Sequence, residues 1–255
     1  MGRRLGQHFL RPASVERLLR TIDPKPDDVF LEIGPGAGAL TFPLAERCRE
    51  VVAVEIDPPL VERLRDRVPN VRIVHGDALE VDLASLVPPG SRLAGNLPYA
   101  VSSPLLRRFL ELRGHVRDIH VMLQDEVARR VAAAPGSKDY GILSVLYALY
   151  TDADMPLRFP PGAFVPPPKV HSAVLRARFL PTPRAQVQDP PAFERLVQRS
   201  FAHRRKTLEN NLQDSYPNLK EHLRLLKIPG VRRAETLSVV EFAELARSLV
   251  VDSTS

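Results

Sequence analysis

The run Val29-Phe30-Leu31-Glu32-Ile33-Gly34-Pro35-Gly36-Ala37-Gly38 constrains this chain more than any other stretch. Five mostly apolar residues without polar alternation predict a strand buried on both faces, and strands of that kind belong to parallel sheets flanked by helices. Glycines directly after it let the backbone come close to a ligand. An apolar helix is expected from about Ala39 to Arg47. The spacing is G-x-G-x-G with Ala39 next, so the sixth-place glycine of the dinucleotide fingerprint is missing and a nicotinamide dehydrogenase is disfavoured.

Three further strands follow in the same pattern. Val51-Val52-Ala53-Val54 ends in Glu55, 17 residues past Gly38, about where an α/β nucleotide site places its acceptor for ribose hydroxyls. Ordinary solvation of a strand end would explain the same residue. Val71-Arg72-Ile73-Val74 leads to His75-Gly76-Asp77, where Asp77 can accept from an amine. Arg92-Leu93-Ala94 delivers Gly95-Asn96-Leu97-Pro98-Tyr99. Ligands of an open parallel sheet bind outside the carboxyl ends of the strands, so the glycine loop, Glu55, Asp77 and Asn96 should share one edge.

Asn96-Leu97-Pro98-Tyr99 suits an amino group on a flat ring. The Asn96 amide oxygen can accept from such an amine, which draws the nitrogen lone pair out of conjugation and makes a poor nucleophile better. Pro98 fixes its own φ and restricts Leu97, whose carbonyl becomes a candidate second acceptor. Tyr99 offers an aromatic face on which a base removed from its stack could lie. The competing reading is a plain strand-to-helix turn, with Ser102 or Ser103 as N-cap and Pro104 at the first helical position.

Strand and helix continue to alternate: helix from Leu105 to Leu112, strand Ile119 to Leu123, helices near Glu126 to Ala133 and Ile142 to Tyr150. Met155 to Phe159 and Ala173 to Phe179 should pair as a hairpin at the sheet edge. The stiff loop Pro160 to Lys169 between them could hold Phe164 opposite Tyr99 as a second jaw on the base, although Phe164 would serve equally as a core side chain. A Pro-rich connection, Pro181-Thr182-Pro183 through Pro190-Pro191, predicts a boundary between a domain over 1–183 and a helical domain over 184–255. The second contains His203-Arg204-Arg205-Lys206, the densest positive run; such a run is as readily a solvated face as a binding surface.

The remaining classes are narrowed by composition. One cysteine, Cys48, forms no internal disulfide, and no Cys/His cluster has metal-ligand spacing, so a reducing compartment and no metal are expected. With no apolar run long enough to span a bilayer, a soluble, cytoplasmic protein is expected; a monomer is expected as well. A formal net charge of +6 suits a polyanionic partner, and Arg3, Arg4, Arg11, Arg17 and Arg20 make the first segment basic. A helix follows Pro12 through Val15, Leu18, Leu19 and Ile22, expected beside the ligand edge.

Taken together, Leu5-Gly6-Gln7-His8-Phe9-Leu10, Leu31-Glu32-Ile33-Gly34-Pro35-Gly36, Gly76-Asp77-Ala78-Leu79, Gly95-Asn96-Leu97-Pro98-Tyr99, Met122-Leu123-Gln124, Phe164-Val165-Pro166-Pro167-Pro168-Lys169-Val170 and Arg204-Arg205-Lys206-Thr207-Leu208 resemble the KsgA/RsmA family of small-subunit rRNA adenine dimethyltransferases. The resemblance covers nearly the whole chain. It implies an α/β class I S-adenosylmethionine-dependent methyltransferase fold, Rossmann-like with a mostly parallel sheet and an edge hairpin, plus a small C-terminal all-α domain that contacts rRNA. It further implies dimethylation of two adjacent adenosines in the 3′-terminal hairpin of small-subunit rRNA, on the rRNA or a precursor subunit. S-adenosylmethionine contacts would fall at His8, Leu10, Gly34, Glu55, Asp77 and Asn96, with Gly36 and Gly38 in the same loop; catalytic contacts at Asn96, Leu97, Pro98, Tyr99 and Phe164; RNA contacts at Arg204, Arg205 and Lys206. Three positions depart from the pattern: His8 and Ala100 stand where the family often has Asn, and His171 where it often has Asp.

Two alternatives share these motifs. One is a ribosome assembly factor whose binding role outweighs catalysis. The other is a large-subunit rRNA adenine methyltransferase of the antibiotic-resistance type, from which only the helical tail would distinguish this chain.

Overall fold

The computed structural model describes residues 9–251. The proposed contact at His8 and the basic pair Arg3 and Arg4 lie outside the described residues. In chain order the elements are β1 (Phe9–Leu10), α1 (Pro12–Ile22), β2 (Val29–Ile33), α2 (Thr41–Ala45), β3 (Glu50–Glu55), α3 (Pro58–Leu64), β4 (Val71–His75), β5 (Ser91–Asn96), α4 (Ser102–Leu110), β6 (Val116–Gln124) and α5 (Asp125–Val131). They continue with α6 (Ile142–Tyr150), β7 (Thr151–Phe159), β8 (Phe164–Val165), β9 (Ser172–Phe179), α7 (Pro190–Ser200), α8 (Leu208–Leu212), α9 (Leu219–Leu225) and α10 (Val239–Val251).

Seven strands form one sheet in the order β4-β3-β2-β5-β6-β9-β7. The first five are parallel, and β9 runs antiparallel to β6 with β7 at the edge beside it. Every residue of β2 is buried, as a central strand covered on both faces requires. Crossing from β4 through β3 and β2 to β5 reverses the direction in which the chain steps, and the switch point falls beside Gly34 and Asn96. A separate two-stranded pair joins Leu10 of β1 to Phe164 of β8.

The helix expected over Ala39 to Arg47 is shorter, because Gly34, Gly36 and Gly38 all take positive φ and the chain turns until Thr41. At Gly38 φ is +86° and a Cβ would lie 2.4 Å from the Phe42 ring, so a side chain here would strain the backbone and displace the ring. The turn before α4 also differs from the expectation: residues 99–101 form a 3-10 turn and Ser102 is already helical. Its hydroxyl donates to the Tyr99 carbonyl at 2.9 Å instead of capping the helix.

Buried charge ties α1 to the sheet. Arg92, at the start of β5, donates to Asp118 at 2.9 Å, to Asp28 at 2.8 Å and to the carbonyls of Ile22 and Asp23 at the end of α1. The apolar face of α1, Val15, Leu18, Leu19 and Ile22, belongs to the same core as Phe30, Leu44, Cys48 and Phe159.

The chain divides into two compact units, residues 1–129 with 153–179 and residues 130–152 with 180–255. The second unit therefore takes in α6, where a boundary at 183/184 would leave it in the first. The reason is local: Ile142–Tyr150 is apolar nearly all round, and Val145, Leu146, Tyr147 and Leu149 are buried. Such a helix needs helical neighbours on several sides, and α7 and α10 provide them. Within this unit the rings of Tyr140, Phe201 and Phe242 lie in series, with centroids 6.1 and 6.0 Å apart. No helix among the described residues is long and apolar enough to cross a membrane.

Candidate functional site

At the carboxyl ends of β2 to β5 the first unit opens into a cleft of about 1080 Å3, measured out to solvent. That is ample for a nucleoside-sized ligand. Gly34, Gly36, Glu55, Asp77, Asn96, Leu97, Pro98, Tyr99 and Leu10 all line it. These residues come from five separate stretches of sequence. The sheet register brings all of them but Leu10 together, since β2 pairs with both β3 and β5 and β3 pairs with β4, while Leu10 comes from the separate β1 pair.

Glu55 organises one wall. Its carboxylate is 4% exposed and accepts the N–H of Gly36 at 3.0 Å on one oxygen and those of Ile56 and Asp57, both at 3.0 Å, on the other. The acid therefore fixes the glycine loop and still borders the cleft, where its remaining lone pair can accept from a hydroxyl group. Asp77 accepts the Leu79 N–H at 2.9 Å on one oxygen, an Asx-type turn that holds its carboxylate at the end of β4.

The opposite wall is the Asn96 stretch. β5 lies so close to β2 here that a Cβ on Gly95 would sit 2.7 Å from the Ile33 carbonyl oxygen, which excludes any side chain. The Leu97 N–H donates to the Met122 carbonyl at 3.1 Å, so the loop stays attached to β6 after the strand has ended. Pro98 follows with φ −59° and ψ 131°. Tyr99 is half-buried, and its phenol oxygen lies 2.7 Å from the Ser172 hydroxyl. Burial holds this phenol above its ordinary pKa, with the Ser172 bond pulling the other way.

Two expected members do not line the cleft. Phe164 is 1% exposed, lies in the core with Leu10 and Val174, and meets Phe159 edge-on at 6.5 Å. An aromatic side chain so placed has no free face for a base, because β8 pairs with β1 and points it inward. Gly38 faces the Phe42 ring instead.

One cleft residue was not singled out from sequence. Glu32 sits in the middle of the buried strand β2, 1% exposed, and burial together with the nearby Glu55 charge pushes its pKa up to about 8. Its Oε2 has no hydrogen-bond partner among the described residues. The signal was available: a glutamate inside an otherwise apolar strand is costly unless it has a partner. No group of three or more His, Cys, Asp or Glu side chains among the described residues is arranged to hold a metal ion.

In the second unit the basic run divides by role. Arg204 donates to the carbonyls of Lys138 at 2.8 Å and Tyr140 at 3.1 Å, bracing the turn before α6. Arg205 and Lys206 are exposed and form no ion pair among the described residues. The N–H groups of Leu208 and Glu209 donate to the carbonyls of Arg232 and Gly230, which brings the 227–233 loop beside this run. That loop presents Lys227, Arg233 and Val231, the last 77% exposed, and there is no Asp or Glu between Glu221 and Glu235. A single-run search for charge misses it because its cations are spaced out in sequence.

The family model for ribosomal RNA adenine dimethylase matches residues 2–250. The chain is 47% identical to the ribosomal RNA small subunit methyltransferase A of Geobacter metallireducens, over 96% of this chain and 94% of that one. It is 42% identical to the protein of the same name from Leptothrix cholodnii, over 97% and 91%. Among solved structures, a dimethyladenosine transferase from Plasmodium falciparum has the same fold, with a TM-score of 0.80 at 23% identity over 96% of this chain and 98% of that one. The 23S rRNA methyltransferase ErmE superposes with a TM-score of 0.68 at 27% identity, over 95% and 99%.

Proposed function

The chain belongs to the ribosomal RNA adenine dimethylase family, and from that premise we propose that it dimethylates the exocyclic amines of two adjacent adenosines in the 3′-terminal hairpin of small-subunit rRNA. The observation that carries this reading is the meeting of Asn96 with Glu55 and Asp77 in one cleft, a nucleophile-activating amide beside two acceptors for a nucleoside. Relatives at 42–47% identity named for the small subunit favour that substrate over large-subunit rRNA. The cytoplasm, where ribosomes assemble, is the matching location.

The cleft fits S-adenosylmethionine. Two carboxylates at strand ends suit ribose hydroxyls and a ring amine, and the unpartnered Oε2 of the Glu32 carboxyl is a further polar atom for a ligand to meet. Leu10, Gly34, Gly36, Glu55, Asp77 and Asn96 would hold it. Bound there, the cosubstrate supplies an electrophilic methyl group.

The chain's own contribution is to place the adenine amine. Asn96 accepts one amine hydrogen through its amide oxygen and the Leu97 carbonyl accepts the other, which localises the nitrogen lone pair. Tyr99 provides the platform for the flipped base. Holding the amine in line with the methyl carbon gives most of the acceleration. No side chain need act as base, since the nitrogen becomes acidic once its lone pair is used and its proton can leave to water. Arg205, Lys206 and Arg233 meet rRNA phosphates.

Replacing Asn96 with Ala tests the assignment. Methyl transfer to undermethylated small subunits should be abolished while S-adenosylmethionine still binds; turnover near that of the unmodified protein contradicts the role.

A further inference from the structure

The segment from Phe164 to Ser172 is nominated in sequence by its aromatic residue, yet its other end is the part that reaches the cleft wall. Ser172 opens β9 opposite Gln124 of β6, is 0% exposed, and places its hydroxyl 2.7 Å from the Tyr99 phenol oxygen. The Tyr99 stretch is thereby tied to three elements. Its carbonyl accepts from Ser102 at the start of α4, Leu97 donates to Met122 in β6, and the phenol meets β9.

A tyrosine ring fixed at its backbone and at its para position has settled its rotamer before any ligand arrives. Capture of a base then orders less of the protein, which favours binding without any added contact to the base. Tyr99 thus lines the cleft with its hydroxyl already engaged by a strand residue.

We propose that Ser172 is a positioning residue for base capture: through the phenol it holds the Tyr99 ring in the orientation that receives adenine, and does not itself touch substrate. The inference rests on the reading of Tyr99 as the platform for the flipped base.

The test is a double-mutant cycle on the full chain, with Ser172→Ala, Tyr99→Phe, the pair combined, and Tyr99→Ala. Steady-state methylation of undermethylated small subunits, calorimetric S-adenosylmethionine affinity and melting temperature are measured for each. Ser172→Ala and Tyr99→Phe remove the same bond, so each should lower kcat/KM for the subunit roughly two- to tenfold, the range of one neutral hydrogen bond, and the pair should fall no further. Cofactor affinity should stay unchanged in all of them. Ser172→Ala at full kcat/KM, losses that multiply in the pair, or a parallel loss of cofactor affinity would each overturn the positioning role. The two readings separate through Tyr99→Ala: if it leaves kcat/KM intact the platform itself is wrong, and if it impairs capture while Ser172→Ala does not, only the role of Ser172 is lost.

Discussion

Gly36 donates its backbone N–H to the Glu55 carboxylate at 3.0 Å, across 19 residues of sequence. One acid thus shapes the loop and presents its charge to the cleft. Replacing Glu55 with Ala should weaken S-adenosylmethionine binding by roughly 1.5–3 kcal/mol, the scale of hydrogen bonds to a charged group, and loosen the glycine loop as well. Calorimetric titration with unchanged affinity would rule the contact out.

Arg92 offers a stability prediction with a sign in pH. Burial raises the pKa values of Asp28 and Asp118, but Arg92, with Arg117 beside Asp28 and His120 beside Asp118, holds both below the ordinary aspartate value. Carboxylates held down in the folded state stabilise it above the unfolded pKa, near 3.8, and that stability is lost as pH falls through the depressed folded values. Arg92→Met leaves two buried acids short of their partner and should cost roughly 3–5 kcal/mol at neutral pH. Without Arg92 the variant's acids are held down less, so they protonate more readily. The gap in melting temperature between variant and parent should therefore narrow from pH 7 to pH 4; a gap that widens contradicts the account.

Phe164→Ala should behave as a core truncation, with a loss of roughly 3–5 kcal/mol in stability. Phe164→Leu keeps most of the volume and should retain both folding and methylation. Loss of rRNA affinity in the Leu variant at an unchanged melting temperature would instead put the ring against the substrate.

The basic surface of the second unit divides by what each residue touches. Combined Ala replacement of Arg205, Lys206 and Arg233 should lower rRNA affinity and flatten its dependence on salt, by up to about 0.7–0.9 in slope per lost phosphate contact. Arg204→Ala should lower the melting temperature first, because it removes the brace on Lys138 and Tyr140. An unchanged salt slope in the triple variant would leave the positive charge of the first segment as the better candidate.

Much of this fold is legible in sequence because its signals are local. Parallel strands show as mostly apolar runs, and β2 to β6 fall within a few residues of the runs that predict them. The cleft is legible because alternation of strand and helix predicts a parallel sheet whose carboxyl ends share one edge, although the strand order appears only in the fold. What escapes depends on contacts distant in sequence. Nothing near Ile142–Tyr150 says that this helix joins helices some 40 residues or more downstream. Nothing near Phe164 says that its ring turns into the core while Ser172, eight residues later, reaches Tyr99. Arg204 likewise looks like its neighbours until its carbonyl partners are seen. Glu32 is different, since a lone carboxyl in a buried strand is visible without any structure.

The central claim is that Asn96 and Tyr99 serve methyl transfer to adenine in small-subunit rRNA. The direct measurement is incubation with labelled S-adenosylmethionine and either undermethylated small subunits or large-subunit rRNA, followed by mapping of the labelled base. The account predicts label on the exocyclic amines of two adjacent adenosines in the 3′-terminal hairpin of the small subunit, lost in Asn96→Ala. Label on large-subunit rRNA alone, or small-subunit label that persists in Asn96→Ala, contradicts it.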